Sequence, residues 1–167
     1  ETEVKESILE HEFYQNIILD IAYLNLSQNM YFKFMNRLVS EYERWFLKDR
    51  SNVAAKYLFA RSLALTGIDH NENRAIKICI EILNRMKAEH YRTLLLLGSI
   101  FYKRRNYDES IKYLSLASAP VLNVFLKFGI TKSFNLHQTA SIKLLALVSS
   151  SRGVINDAIR LYEIFLL

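Results

Sequence analysis

Turn-forming residues are scarce in this sequence of 167 residues, which contains four glycines and one proline. A β-sandwich or β-barrel needs many tight turns, and such turns use glycine and proline heavily. The scarcity therefore argues against both β architectures and favours long helices. Tracts rich in proline, glycine and serine are missing, as are charges of one sign in long runs, so we expect order almost throughout.

Cysteine and long apolar runs are equally scarce. Cys79 is the only cysteine, so the chain can form no internal disulfide and has no second thiol for a metal. Its place in the apolar run 76–83 predicts a buried thiol in a reducing compartment, and hence a cytoplasmic or nuclear protein. The most apolar stretch, 93–102, is far shorter than the ~20 residues that a membrane span requires, so we expect no membrane span.

Residues that carry catalysis or bind cofactors are not grouped in this sequence. The four histidines, at positions 11, 70, 90 and 137, fall on separate predicted elements, so neither a zinc pair nor a catalytic dyad is indicated. The glycines are isolated from one another, which excludes a phosphate-binding glycine loop. We therefore expect a protein that is not an enzyme and has no catalytic residues, no metal site and no cofactor.

Apolar residues at helical spacing mark two helices in the first 50 residues. The first is predicted between Glu3 and Leu26 and the second ends near Lys48, with a polar break between them. Together they form a hairpin at 1–50 that is richer in aromatic residues than one buried stripe requires, and such surface often marks an interface. The candidates for a homodimer contact are Phe13, Tyr23, Phe34, Tyr42 and Trp45. The alternative is that the hairpin only caps the rest of the fold.

An ordered pattern of small residues recurs in the remaining two-thirds of the chain, and such internal repeats indicate stacked supersecondary units. In each unit one small residue precedes a polar corner and another follows it, as at Gly98 and Ser110 around the corner at 105–108. The three pairs are Ala60 and Ala75, Gly98 and Ser110, and Ala146 and Ala158. Two antiparallel helices approach closely only where their crossing residues are small, so each unit is predicted to be a helical hairpin.

The corners carry residues that end and begin helices. Gly67 and Gly153 fall where a first helix must end, and glycine tolerates the left-handed conformation of that position. Three asparagines are candidate N-caps of the second helices, namely Asn71, Asn106 and Asn156. In the earliest unit the turn is predicted to be longer by three residues, at 69–71.

This pattern resembles the tetratricopeptide repeat, a 34-residue helix-turn-helix with large, small and aromatic positions in a fixed order. The resemblance covers residues 53–167 and is clearest between Leu94 and Ala117, where the stretch 103–109 reads like the family's typical corner. It implies an all-α fold of stacked antiparallel helix pairs in a right-handed superhelix. Leu94 and Ile142 depart from the family at a position that is usually aromatic.

Five segments follow from this interpretation. They are the N-terminal hairpin at 1–50, a repeat-like unit at 53–90, a repeat at 91–119, an inserted helix (121–128) and loop within 120–138, and a third repeat-like unit at 139–167. The last unit looks truncated. Because a terminal repeat needs a polar outer face, we expect the natural protein to continue beyond this apolar end.

The resemblance implies a non-enzymatic scaffold for protein–protein interaction. Residues 34–41 and 54–67 look like the N-terminal arrays of subunits of the anaphase-promoting complex, a ubiquitin ligase of the cell cycle in which such repeats form homodimers. The alternative is the mitochondrial fission adaptor family of the Fis type, whose first repeat aligns with 57–83 without a gap. That family has a membrane anchor after two repeats, whereas we expect a third unit and no anchor in this chain.

The positive charge of the sequence raises nucleic acid as a further class of partner. The formal net charge of +5 and the cationic cluster 103–105 raise a helical-repeat RNA-binding protein as another alternative. In such readers, side chains at fixed repeat positions each contact one base, and here those positions are mostly apolar and differ between units. We therefore expect no specific nucleic-acid binding.

In tetratricopeptide arrays a concave groove is lined by the first helices of the repeats, and its positions can be carried over to this sequence. The peptide-groove candidates are Tyr57, Arg61, Arg92, Leu95, Ser99, Tyr102, Lys143 and Leu147. Tyrosines, leucines and scattered cations suit an extended or helical peptide with apolar anchors and some acidic character. The alternative is that several of these side chains simply pack against neighbouring units.

Overall fold

The computed structural model of the chain describes residues 27–86, 90–128 and 136–166. Within these ranges it contains seven helices and no strand, and neighbouring helices pack in pairs. The helices are α1 (Gln28–Lys48), α2 (Val53–Leu65), α3 (Asp69–Arg85), α4 (Tyr91–Lys103), α5 (Tyr107–Phe128), α6 (Leu136–Ser151) and α7 (Ile155–Leu166). The all-α prediction is confirmed, and so is the end of the second predicted helix at Lys48. The superhelical order remains a prediction.

The chain divides into two compact units, unit 1 at Glu1–Ile82 and unit 2 at Leu83–Leu167. Unit 1 contains α1, α2 and most of α3, and unit 2 contains α4 to α7. The helix predicted between Glu3 and Leu26 lies outside the described residues.

Helix α2 forms the centre of unit 1, since nine of its thirteen residues are buried. The Asn52 side chain caps it, accepting a hydrogen bond from the Ala55 N–H at 3.0 Å. On one side the Phe46 ring of α1 stacks on the Phe59 ring, with 5.6 Å between the ring centroids. From α3, the Arg74 guanidinium lies 5.5 Å from the centroid of the same Phe59 ring, so both neighbours pack on one α2 side chain.

An ion pair also connects α1 directly to α3. The Arg74 guanidinium donates to the Glu43 carboxylate at 2.9 Å. A second pair joins Lys56 of α2 to Glu81 of α3, with 2.6 Å between the ammonium nitrogen and the carboxylate oxygen. Both acidic partners are partly exposed, so each pair adds on the order of 1 kcal/mol or less, and apolar burial along α2 holds the unit together.

In unit 2, α4 and α5 cross at Gly98. A Cβ atom added there would lie 2.5 Å from the Leu114 Cγ atom, which is closer than real side-chain contacts. The Ser110 hydroxyl donates a buried hydrogen bond of 2.7 Å to the Gly98 carbonyl oxygen. The predicted close approach of two helices at a pair of small residues is therefore confirmed at Gly98 and Ser110.

The hairpin of α6 and α7 repeats the α4–α5 hairpin 48 positions later in the chain. The Asn106 N–H donates to the Phe101 carbonyl at 2.9 Å, and the Val154 N–H donates to the Ser149 carbonyl at 2.9 Å. The small residues Ala146 and Ala158, counterparts of Gly98 and Ser110, are both buried. A buried hydrogen bond of 2.9 Å from the Ser118 hydroxyl to the Ser141 hydroxyl connects the two hairpins.

Each of the three corners contains one residue in the left-handed conformation. Gly67 has a φ of 65° and Gly153 a φ of 87°, which confirms the predicted helix ends. Arg105 occupies the same position in the middle corner with a φ of 58°. A left-handed conformation costs a residue with a Cβ atom roughly 1–2 kcal/mol, so Arg105 is a strained residue where the other corners have glycine.

Two N-cap predictions are wrong because each second helix begins two residues after the left-handed residue. Asn71 lies inside α3, where its side-chain amide donates to the Thr66 hydroxyl at 3.1 Å. Asn156 lies inside α7. The extra residues 69–71 likewise belong to the first turn of α3 and lengthen the helix instead of the turn. Asn106 does cap α5, with its side-chain oxygen accepting from the Glu109 N–H at 3.4 Å.

The inserted helix predicted at 121–128 is the continuation of α5. That helix runs from Tyr107 through Pro120 to Phe128 without a break. A proline inside a helix removes one N–H donor and disfavours the helix locally, but here it does not end the helix. The loop part of the predicted insertion at 129–135 lies outside the described residues.

Replacing Arg105 with glycine should stabilise the protein. We expect Arg105→Gly to raise the free energy of unfolding by about 1 kcal/mol, because glycine adopts the left-handed conformation without the Cβ penalty. Chemical denaturation followed by circular dichroism measures this change. The matched control is Arg104→Gly, since Arg104 has a φ of −79° and glycine there gains nothing. Equal effects of the two substitutions would contradict the strain at Arg105.

Candidate functional site

The structure brings six of the eight groove candidates onto two adjacent helices of unit 2. We call this surface the α4/α6 face; it comprises Arg92, Leu95, Ser99 and Tyr102 on α4 and Lys143 and Leu147 on α6. The two helices are the first helices of their hairpins and contact each other. Lys143 and Leu147 are exposed, Leu147 at 37%, and the four α4 residues are half-buried. The face is therefore a mixed apolar and cationic surface open to solvent on its α6 side.

Part of the α4/α6 face is committed to packing within unit 2. Leu95 and Tyr102 pack against the buried cluster of Leu114, Leu145 and Val148. Part of the surface of Leu95 and Tyr102 is therefore covered by other residues of unit 2. On the same face the Ser99 hydroxyl donates to the Leu96 carbonyl at 2.8 Å within its own helix.

The two groove candidates in unit 1 differ in their exposure. Tyr57 is 3% exposed, because most of α2 is buried, and its side chain therefore belongs to the core. Arg61 on the same helix is half-buried. Burial raises the pKa of the Tyr42 hydroxyl of α1, and the positive charge of Arg61 partly offsets that rise.

The described dimer-interface candidates lie on α1. Phe34, Tyr42 and Trp45 are all half-buried, and the Tyr42 and Trp45 rings lie 6.3 Å apart. Phe13 and Tyr23 lie outside the described residues. Three other large apolar side chains of α1 are more exposed than these candidates, namely Met30, Phe32 and Leu47.

A cleft of about 300 Å³ opens elsewhere in unit 2, where three helices meet. Its walls are Ile111 and Ser115 from α5, Leu145 and Ser149 from α6, and Asp157, Arg160 and Leu161 from α7. In the same unit, the Arg152 guanidinium of the last corner and the Asp108 carboxylate of α5 form an ion pair of 2.8 Å. No residue of the α4/α6 face lines the cleft, so the two are separate surfaces.

The cleft was missed in the sequence because its walls come from three helices that are distant along the chain. One signal did exist in the 48-residue repeat. Phe101 and Tyr113 of the first hairpin correspond to Ser149 and Leu161 of the second, so an aromatic pair is replaced by two smaller side chains. A residue-by-residue comparison of the two hairpins could have located the open space.

Reactive groups are few in the part of the chain that the structure describes. Cys79 is buried, and its burial raises the pKa of the thiol well above the ordinary value, which disfavours the nucleophilic thiolate. Among residues 27–86, 90–128 and 136–166, no group of three histidine, cysteine, aspartate or glutamate side chains could hold a metal ion. Over the same ranges no helix has the length and apolar character needed to cross a bilayer.

Comparisons of the chain with protein-family models, curated proteins and solved structures found no match. The resemblance to tetratricopeptide repeats therefore stays a prediction drawn from residues 53–167. Among the described residues of unit 2, the candidate sites are the α4/α6 face and the cleft.

Proposed function

We propose that this protein is a non-enzymatic scaffold of the tetratricopeptide type, which binds a segment of another protein on its α4/α6 face. The supporting observation is that two adjacent hairpins have small residues at equivalent positions. Gly98 with Ser110 and Ala146 with Ala158 occupy equivalent positions, and the first helices of both hairpins lie side by side. Repeating hairpins of this kind build continuous surfaces on which extended segments bind.

The side chains of the α4/α6 face suggest the chemistry of the partner. Leu95, Tyr102 and Leu147 offer apolar surface, while Arg92 and Lys143 add positive charge. Such a surface suits an extended or helical peptide that has apolar anchors and acidic residues between them. The formal net charge of +5 on the whole chain would also speed the approach of an acidic partner.

A substitution on α6 tests this proposal. The full chain is used to select binders from a random peptide library, and the affinities of the selected peptides are measured by fluorescence polarisation. We expect Leu147→Glu to weaken binding about tenfold, or about 1.4 kcal/mol, because it removes an apolar contact and repels acidic peptides.

The matched control for this test is Leu116→Glu on α5. Leu116 is 47% exposed and does not belong to the α4/α6 face, so binding should be unchanged. Both variants should melt at the wild-type temperature because both side chains are exposed. Failure to select any peptide, or equal losses in the two variants, would contradict the proposed face.

As the biological setting we propose a homodimerising subunit of the anaphase-promoting complex. The support is the resemblance at 34–41 and 54–67 and the exposed apolar side chains of α1, since apolar surface of this kind favours association. In sedimentation equilibrium the full chain should form dimers, and Phe32→Asp should shift it toward monomers because the aspartate places a charge on an apolar contact. A wild-type chain that stays monomeric at high micromolar concentration would exclude the dimer.

A further inference from the structure

Two residues that line the cleft between α5, α6 and α7 have aromatic counterparts in the first hairpin. There the Phe101 and Tyr113 rings stack with 5.7 Å between their centroids and 6° between their planes. The equivalent positions in the second hairpin are Ser149 and Leu161, and both line the cleft. Two smaller residues therefore line the cleft at the positions where the first hairpin has a stacked aromatic pair.

The two hairpins also differ in the contacts of a pair of charged residues at equivalent positions. In the first hairpin the Lys112 ammonium and the Glu109 carboxylate form an ion pair of 3.1 Å. Their counterparts 48 positions later are Arg160 and Asp157, which line the cleft and are both exposed. Within the described part of the chain no ion pair joins these two. The cleft thus presents one positive and one negative group to a ligand.

One of the residues that line the cleft is a buried serine. Ser149 is only 6% exposed, and among the described residues its hydroxyl has no hydrogen-bond partner in the structure, whereas the buried Ser110 and Ser118 hydroxyls each have one. Buried polar groups in proteins are nearly always hydrogen-bonded. The Ser149 hydroxyl can gain a partner from water or from a ligand that enters the cleft.

We propose that this cleft is a second binding site, which takes a peptide segment with an apolar side chain between an acidic and a basic residue. The apolar side chain contacts Ile111, Leu145 and Leu161. The acidic residue pairs with Arg160 and the basic residue with Asp157, since opposite charges across an interface set specificity. The Ser149 hydroxyl exchanges a hydrogen bond with the peptide backbone. A volume of about 300 Å³ is at the small end for ligand sites and suits one large side chain with its flanking backbone.

Four labelled heptapeptides with a central leucine test the charge preference. The residues flanking the leucine are one glutamate and one lysine, two glutamates, two lysines, or two serines. Fluorescence polarisation with the full chain should show that the mixed-charge peptide binds about tenfold more tightly than the serine peptide. Asp157→Arg should change the preferred peptide to the one with two glutamates, and Arg160→Asp to the one with two lysines.

A second set of variants tests the location of binding. Ser149→Phe combined with Leu161→Tyr introduces the aromatic pair of the first hairpin, and it should abolish binding without lowering the melting temperature. Ser115→Trp fills the cleft from an exposed position of its wall and should also abolish binding. This variant keeps the test usable if the double variant fails to fold. Ser151→Phe, on an exposed position of α6 outside the cleft, should leave binding unchanged.

The outcomes separate this site from the α4/α6 face. Leu147→Glu should not affect binding of the mixed-charge peptide, because Leu147 does not line the cleft. The proposal is overturned if none of the four peptides binds the wild-type chain at millimolar concentration. It is also overturned if binding survives Ser115→Trp, or if the order of preference is the same in wild type, Asp157→Arg and Arg160→Asp.

Discussion

The contact between α4 and α5 at Gly98 is the constraint on which unit 2 depends. Leu114 occupies the space that a side chain at Gly98 would need, and the Ser110 hydroxyl satisfies a second acceptor site on the Gly98 carbonyl oxygen. Because the helices meet so closely there, Leu114 also reaches Leu145 and Val148 of α6. One crossing therefore fixes the first hairpin and anchors the second hairpin against it, and the α4/α6 face results from this arrangement.

Positions that recur between the hairpins maintain the fold, and two positions that differ line the cleft. Ala146 and Ala158 repeat the small residues of the first crossing, and Gly153 repeats the left-handed corner. In contrast, Ser149 and Leu161 replace a stacked aromatic pair and leave the cleft open. The second hairpin has thus kept the packing that it needs to fold while presenting a surface that the first hairpin lacks.

The elements that could be predicted from the sequence are those set by local spacing. Small residues are required where two helices approach closely, as at Gly98 and Ser110. Glycine is favoured where φ is positive, as at Gly67 and Gly153. All four residues lie where their pattern placed them. The start of a helix depends instead on where the preceding helix stops, which is why Asn71 and Asn156 were misjudged as caps. The burial of Tyr57 and the existence of the cleft depend on which helices meet in three dimensions, and periodicity along one helix does not contain that information.

The free energy of unfolding of Gly98→Ala tests this packing most directly. In an ordinary helix interior, alanine in place of glycine stabilises by about 1 kcal/mol, so the sign of the change is informative. Here the added methyl group would collide with Leu114, and we predict a loss of about 1–3 kcal/mol. Part of that loss should disappear when Leu114→Ala is already present, as measured by urea denaturation in a double-mutant cycle. A more stable Gly98→Ala protein would contradict the close crossing of α4 and α5.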